Sequence, residues 1–580
     1  MTTPHEARVA GLSEKRRALL AQWLDSAGTP EPPAADDLPV TDTERVLAEV
    51  WEEVLQISPV RVTDGFLALG GDSITSLQVV AKATWRGLHL TSRQVIESMD
   101  LRSLAAAVTP ISPRSVEDDI ATGRVGLTPI QQWFFEQELP NSHYWDQAIL
   151  LDVDPGLDSG VLAAALDDVI RHHDALRSTF RCVDGSWEQT VTLDASTVGV
   201  QVSTGVSLPA AIRSAQNRID LASGRMVSAI ITTSSDDQRP ILLLAIHHLV
   251  VDGVSLRILV DDLETAYQAR VRGRVPVLPP KSASMRSWSD ALREYARTPR
   301  ITRQLDYWRA VPDAAATQLP ADYDTVSDTM ATCRTISAVV GPEVTARLLH
   351  EIPRRHGRQV QHLLLASLLS AFRQRTGRQR LQLDLEGHGR EPLHWPIDVS
   401  RTVGWFTTIY PVCLPIDRTP LAVLARVEQE MAAVPDRGIG YGLLRYLGGE
   451  ESQRVLAGLS RSRLSFNYLG RFDRATLPGS VFGVPVEVPT VLQSDEATRP
   501  YAVEVVATVV TDRLTIEWRY NSSAFAESTV RSLLQAQVQA ITELADLVEE
   551  AAPGPSAFPL ATISADQIES VRRQIQGDGR

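Results

Sequence analysis

Ile241-Leu-Leu-Leu-Ala-Ile-His247-His248-Leu-Val-Val-Asp252-Gly253-Val-Ser255 is the stretch on which the fold of this chain turns. Its unbroken apolar run, Ile241–Ile246, has the length and composition of a strand buried on both faces. The run stops at His247-His248, and a helical pattern begins at Ser255. Strand, tight turn and helix are therefore expected, with polar side chains presented rigidly where the strand ends. Two histidines with an aspartate four residues on raise the question of a metal, but the arrangement is not H-E-x-x-H and no cluster supplying a third ligand follows. A second His-His-Asp, His172–Asp174, lies in a helical stretch where a structural role is the better reading.

Working outward, a second apolar strand, Leu381–Leu385, runs into Glu386-Gly-His388-Gly-Arg390-Glu391. Two glycines allow a tight turn that presents Glu386 or His388, and Arg390 is available to pair with a carboxylate, Asp252 among them; a solvated loop with an ion pair is the plain alternative. Strand-like runs, Val503–Val510 included, alternate with amphipathic helices from Gly126 to about Leu547 without a Pro/Gly-rich break. This predicts one large α/β body over 126–550, in two lobes of about 126–300 and 301–550. Gly438-Ile-Gly440-Tyr-Gly442 misplaces the third glycine of a dinucleotide loop, and no Walker A or GxSxG string occurs. Kinase, dehydrogenase and ordinary serine-hydrolase chemistry lose support.

Ahead of the body, Thr41-x-x-Glu44 has the form of a capping box, and Val46, Leu47, Val50, Trp51, Val54 and Leu55 share one helical face. Gly70-Gly71-Asp72-Ser73 precedes a second helical pattern through Ile74, Leu77, Val80 and Ala81, and a last one covers Leu101–Val108. A small helical unit over 41–109 follows, with a linker over 110–125. Ser73 opens its helix after two glycines, where an N-cap is the plain role and a phosphate would also be favoured. Residues 1–40 hold a short helical pattern, Arg17–Leu24, and a Pro-rich acidic linker; the tail 551–580 holds a weak one, Ile563–Gln576. Both ends are candidate docking elements.

The chain has 580 residues, which at roughly 150 per domain means about four units, or fewer if one is large. Its 57 Lys plus Arg against 71 Asp plus Glu give a net charge of −14, the wrong sign for general binding to nucleic acid or anionic lipid. Three widely spaced cysteines, Cys182, Cys333 and Cys413, support neither a disulfide framework nor a zinc ribbon. With no signal-peptide pattern and no apolar run near 18 residues, a cytoplasmic protein that does not cross a membrane is expected.

Asp64-Gly-Phe-Leu-Ala-Leu-Gly-Gly-Asp-Ser73-Ile, inside a helical unit of this size, resembles the peptidyl carrier domain of nonribosomal peptide synthetases. That resemblance implies a 4′-phosphopantetheine ester on Ser73, attached by a phosphopantetheinyl transferase, and Asp before the serine is the variant typical of carriers ahead of epimerization domains. The body resembles the epimerization domain of the same synthetases, over about 120–550. The matching strings are Pro129-Ile-Gln-Gln-Trp133-Phe134, His247–Ser255, Glu386–Glu391, Asp398-Val-Ser-Arg401-Thr-Val-Gly404-Trp405-Phe406, Pro435 with Gly440-Tyr441-Gly442, and Phe466-Asn467-Tyr468-Leu469-Gly470. It implies a four-helix carrier followed by two chloramphenicol-acetyltransferase-like lobes with a tunnel between them.

The resemblance also implies roles. His248 and Glu386 exchange the α-proton of a tethered aminoacyl or peptidyl thioester from opposite faces, Tyr468 lines the site or stabilises the enolate-like intermediate, and His247, Asp252, Gly253, Arg390 and Asn467 support them. No metal or pyridoxal is implied. Two positions depart from the family pattern: Leu256, where Trp is more frequent, and Asp146, where Asn is usual. No adenylation domain is expected in the chain, so a trans-acting adenylation domain or an upstream synthetase subunit would load it, and a downstream condensation domain would receive the product. Condensation, β-elimination from a tethered Ser or Thr, and an idle carrier-binding scaffold are the alternatives.

Overall fold

The computed structural model describes residues 37–550, apart from 56, 72, 111–121, 194–197, 234–239, 314–315, 317–318, 320, 325–326, 391–396, 472–479 and 511. The helical patterns expected at Arg17–Leu24 and Ile563–Gln576, and Glu391, lie outside the described residues. No helix among the described residues is long and apolar enough to cross a membrane.

Four helices build the N-terminal unit: α1 (Asp42–Leu55), α2 (Ser73–Trp85), α3 (Ser92–Glu97) and α4 (Leu101–Ala107). The expected capping box starts α1: Thr41 Oγ1 accepts from the Glu44 amide at 3.1 Å, and the Glu44 carboxylate accepts from the Thr41 amide at 2.9 Å. The apolar face of α1 puts Leu47, Val50 and Trp51 out of water, and Trp51 meets Phe66 edge-on at 5.2 Å. This core is separate from that of the body.

In the body, strands β1 (Gly123–Val125), β2 (Trp145–Val153), β3 (Ser178–Val183), β4 (Ser186–Val191), β5 (Val200–Thr204), β6 (Val227–Thr233) and β7 (Pro240–His247) form the first lobe together with α5 (Pro129–Glu136), α6 (Ser159–His172), α7 (Leu208–Gln216) and α8 (Gly253–Val271). The second lobe is built from β8 (Cys333–Val340), α9 (Val360–Thr376), β9 (Arg380–Gly387), β10 (Thr408–Pro415), β11 (Leu464–Arg471), β12 (Phe482–Gln493), β13 (Val503–Val510), β14 (Arg513–Asn521) and α10 (Glu527–Glu550). One strand changes sides. β12 joins the first-lobe sheet, whose order is β12-β2-β7-β6-β5, while the second sheet runs β8-β14-β13-β11-β9-β10. The pairing of β1 with β4 also starts the body inside the stretch read as a linker.

β7 is the expected buried strand. Leu242 to Ile246 are all at most 2% exposed, because helices cover both faces of its sheet: Leu243 and Ala245 pack with Ala211 and Ala215 of α7, and Leu242, Leu244 and Ile246 join the main core. In β9, by contrast, Leu381, Leu383 and Leu385 point into the core, while Gln382, Asp384 and Glu386 alternate onto the other face. That face continues across the sheet. Asp384 aligns with Ser465, Ser465 with Glu504 and Glu504 with Arg519; one step along, Asn467 aligns with Val506 and Val506 with Glu517. The second lobe thus turns a polar wall toward the first.

His172 and His173 close α6 and, with Asp262, gather donor atoms within 4.8 Å of one another, the one such cluster among the described residues. Asp262 is already committed. It accepts from Arg401 at 2.7 and 2.9 Å and lies 2.8 Å from His173 Nε2, all three side chains being buried. Arg401 belongs to the second lobe, so this network ties the lobes together. Asp262→Asn removes the charge that compensates buried Arg401 and is expected to cost about 3–5 kcal/mol. Arg171→Ala, which removes an exposed ion pair to Asp168, is expected to cost under about 1 kcal/mol. Urea denaturation of the two variants checks the contrast; equal midpoints would mean that the network contributes nothing.

Candidate functional site

β7 ends where the turn needs it to. His247 caps the following 3₁₀ turn, His248–Val250, by accepting from the Leu249 amide through Nδ1, while its Nε2 meets the Ser142 carbonyl at 2.9 Å. Both nitrogens of His247 are spent on backbone. His248 is oriented differently: Nδ1 lies 2.8 Å from the Val251 carbonyl and therefore carries the proton, which leaves a lone pair on Nε2. That nitrogen lies 3.1 Å from the side-chain amide of Gln147, on neighbouring β2, and the ring packs against Trp405 with centroids 4.2 Å apart and planes tilted by 32°. Burial holds His248 down at about 4, so at neutral pH it is an uncharged base.

Asp252 is the N-cap of α8, accepting from the Ser255 amide at 2.7 Å, and it also receives Arg390 at 3.1 and 3.2 Å and the Phe406 amide at 3.1 Å. Both terminal nitrogens of Arg390 are engaged. It donates to Ser255 Oγ and to the carbonyls of Val399 and Thr402, and its guanidinium lies 3.9 Å over the Phe406 ring. Asp252 stands four residues after His248, and Arg390 four residues after Glu386, so this buried pair draws the two motif loops together. Gly389 makes the approach possible. Its φ is +65° and a Cβ there would fall 1.6 Å from the Phe406 carbonyl oxygen, which no side chain survives.

Glu386, half-buried at the end of β9, accepts from the Asn467 side-chain amide at 2.7 Å. Burial raises its carboxyl to about 7, with Glu504 and Asp384 pushing the same way and Arg519 opposing. His388 turns back on its own loop, accepting from the Arg390 amide at 3.0 Å, so Glu386 is the group presented. Tyr468 follows Asn467 on β11 and is half-buried, at the point where the regular pairing with β13 breaks. A cavity of about 230 Å³ lies beside this region, lined among others by Trp133, Asp384, Trp405, Tyr441 and Tyr501, and neither His248 nor Glu386 lines it.

Sequence reasoning missed Gln147 and Trp405 as groups that hold His248. Their signal was weak: Gln147 is one polar residue in the strand Trp145–Val153, and it points at His248 only because β2 pairs antiparallel with β7. Neither departure is itself one of the proposed reacting groups. Leu256 is 1% exposed within the main core, and Asp146 is fully buried on the neighbouring strand. Burial holds the Asp146 carboxyl well above its usual range.

The residues of the small domain fit a phosphopantetheine serine. Ser73 opens α2, Gly70 has φ +88°, and a Cβ on Gly71 would lie 2.4 Å from the Phe66 ring. The turn before Ser73 rests on the second lobe, since a Cβ on Gly70 would meet the Leu349 carbonyl oxygen at 2.5 Å and His350 Nδ1 at 3.2 Å.

The family model described as "Condensation domain" matches residues 121–552, and the one described as "Phosphopantetheine attachment site" matches residues 45–108. The chain is 36% identical over 554 residues to a linear gramicidin synthase polypeptide of Brevibacillus parabrevis, covering 92% of this chain and 7% of that protein. It is also 36% identical over 552 residues to the chondramide synthase of Chondromyces crocatus, covering 92% of this chain and 14% of that protein. The chain thus spans a small fraction of the length of the curated relatives it matches. Among solved structures, the epimerization domain from the third module of tyrocidine synthetase B matches with a TM-score of 0.69 and 30% identity, over 74% of this chain and 99% of that one.

If Glu504 helps to hold the Glu386 proton, Glu504→Gln lowers the Glu386 titration midpoint from about 7 toward the ordinary carboxylate range. Carboxyl ¹³C NMR titration reads this directly. An unchanged midpoint would assign the shift to burial and Asp384.

Proposed function

Since this chain belongs to the condensation-domain family of nonribosomal peptide synthetases and carries a phosphopantetheine attachment domain ahead of that body, we propose that it inverts the α-carbon of an aminoacyl or peptidyl thioester held on Ser73. The observation that carries the reading is the complementary state of two groups from opposite lobes: His248 with an unprotonated Nε2 and Glu386 with a carboxyl that keeps its proton to about neutral pH. Inversion needs both, one to take the α-proton and the other to return a proton to the opposite face. The 30% identity to an epimerization domain supports the same choice within the family.

The phosphopantetheine supplies the thiol that tethers the substrate and, as a thioester, makes the α-proton more acidic. The protein's part is to bind, orient and move the proton. With His248 as base, Nε2 gives up its contact with the Gln147 amide to accept the α-proton and Glu386 donates its own from the other side; in the reverse direction the roles exchange. Asn467 fixes the Glu386 carboxyl, Gln147 and the Val251 carbonyl fix the imidazole, and Tyr468 is assigned to the charge left on the substrate when the proton departs. Asp252 and Arg390 hold the geometry without touching substrate. A phosphopantetheinyl transferase would modify Ser73, an adenylation domain or upstream subunit acting in trans would load it, and a downstream condensation domain would take the product.

The test loads Ser73 with an L-aminoacyl pantetheine in D₂O and follows α-deuterium by intact mass and chirality after release, with no acceptor present. Incorporation with D-product is expected, slowed at least about 100-fold in Glu386→Gln and in His248→Ala. The rate should fall below pH about 4, as His248 gains a proton, and above about 7, as Glu386 loses one. The same envelope applies in both directions, because the two active forms of the pair differ only in where one proton sits. Loss of water from a hydroxy amino acid would favour elimination; absence of exchange, with bond formation once an acceptor is added, would favour condensation.

A further inference from the structure

The cavity of about 230 Å³ borders the proposed catalytic pair on both sides without containing it. On β9, Asp384 lies two residues before Glu386, so the two carboxyls share the polar face with Cα atoms about 7 Å apart. Pro411 and Ile409 stand opposite them in register on β10, and Asp384, Ile409 and Pro411 all line the cavity. Trp405, which packs against His248, lines it too. A substrate whose α-carbon sits between His248 and Glu386 therefore has its remaining substituents beside this cavity.

Of the charged residues that line it, Glu136 meets Arg445 and Arg461, and Arg499 meets Glu504. Asp384 is the exception. Its partners among the described residues are hydroxyls, Tyr501 at 2.9 Å and Ser462, and burial holds its carboxyl above the usual range. Arg461 opposes that shift from a distance, with a side chain that is 63% exposed and already committed to Glu136. A carboxylate held out of water without a cation is costly, and a cationic ligand removes that cost. The other walls are aromatic, Trp133, Trp405 and Tyr441 among them, and such faces also favour a cation.

We propose that Asp384 binds the free α-ammonium of the substrate, so that the body takes single aminoacyl thioesters in preference to peptidyl ones. The proposal rests on the epimerization reading for the position of the α-carbon. The ammonium is one bond from that carbon, within reach of a carboxylate one strand repeat from Glu386. A peptidyl nitrogen carries no charge and brings an acyl chain behind it. For that chain the cavity is small, since about 230 Å³ falls below the roughly 300–1,000 Å³ of sites that hold drug-sized ligands. Asp384 thus binds the substrate without taking the α-proton.

Calorimetric titration of the full chain carrying Ser73→Ala tests this without turnover, using pantetheine amides in place of the thioester. The L-phenylalanyl amide is expected to bind about tenfold more tightly than the 3-phenylpropanoyl amide, which lacks only the amine. That ratio should fall toward one in Asp384→Asn and persist in Tyr501→Phe, which keeps the carboxylate. Equal affinities for these two amides in the parent, even with the bulkier N-acetyl-L-phenylalanyl amide rejected, would overturn the proposal, as would a preference that survives Asp384→Asn. Equally tight binding of the Nα-acetyl-L-lysyl amide would put the ammonium on a side chain and overturn the α-amine assignment. Far-ultraviolet dichroism separates lost recognition from lost folding, and Asp384→Ala decides the matter if Asp384→Asn does not fold. The D₂O exchange assay reads the α-proton and not the amine, so a chain that shows no exchange yet prefers the amine would refute epimerization and leave this site standing.

Discussion

The buried pair of Asp252 and Arg390 is the constraint on which the rest of the molecule depends. Removing a carboxylate and a guanidinium from water is costly, and the cost is offset as the remaining donors and acceptors find partners, which all but Arg390 Nε do here. Here the partners come from both lobes: the N-terminus of α8 and Ser255 from one, the carbonyls of Val399 and Thr402 and the Phe406 amide and ring from the other. An interaction satisfied only by groups from two bodies specifies their separation more sharply than apolar packing does. The catalytic assignments inherit that precision, because each proposed reacting group is four residues from one end of the pair.

The second polar network, Asp262 with His173 and Arg401, acts farther along α8 and gives the interface a second fixed point. One ion pair would leave a pivot. Two along a single helix restrict the angle between the lobes as well as their distance. Within that frame, burial gives two ordinary side chains useful states at neutral pH in opposite ways: it removes the proton from an imidazole and leaves one on a carboxyl.

Much of this could be read from the chain because it is local. The apolar run of β7, the alternation in β9, the capping box of α1 and the glycine-flanked turns all act over a few residues, and the pairing of Arg390 with Asp252 was among those anticipated. What escaped depends on register between distant strands. Gln147 reaches His248 through antiparallel pairing, Trp405 through a loop that returns from the second lobe, and the charges around Glu386, like and unlike, come from three strands. Nor does the periodicity of 482–493 reveal which sheet that strand will choose.

That choice shapes how the protein can come into being. β2 has β7 on one side and waits for β12 on the other, with Trp145 opposite Gln493 in register. During synthesis the first-lobe sheet stays open at that edge until nearly all of the body has left the ribosome. An unpaired edge invites association with other chains, so the nascent lobe is at risk for most of its translation. The two lobes, though separate in outline, are thus a single unit of inheritance: a recombination point placed between them would hand each daughter protein a sheet lacking its closing strand or a strand lacking its sheet.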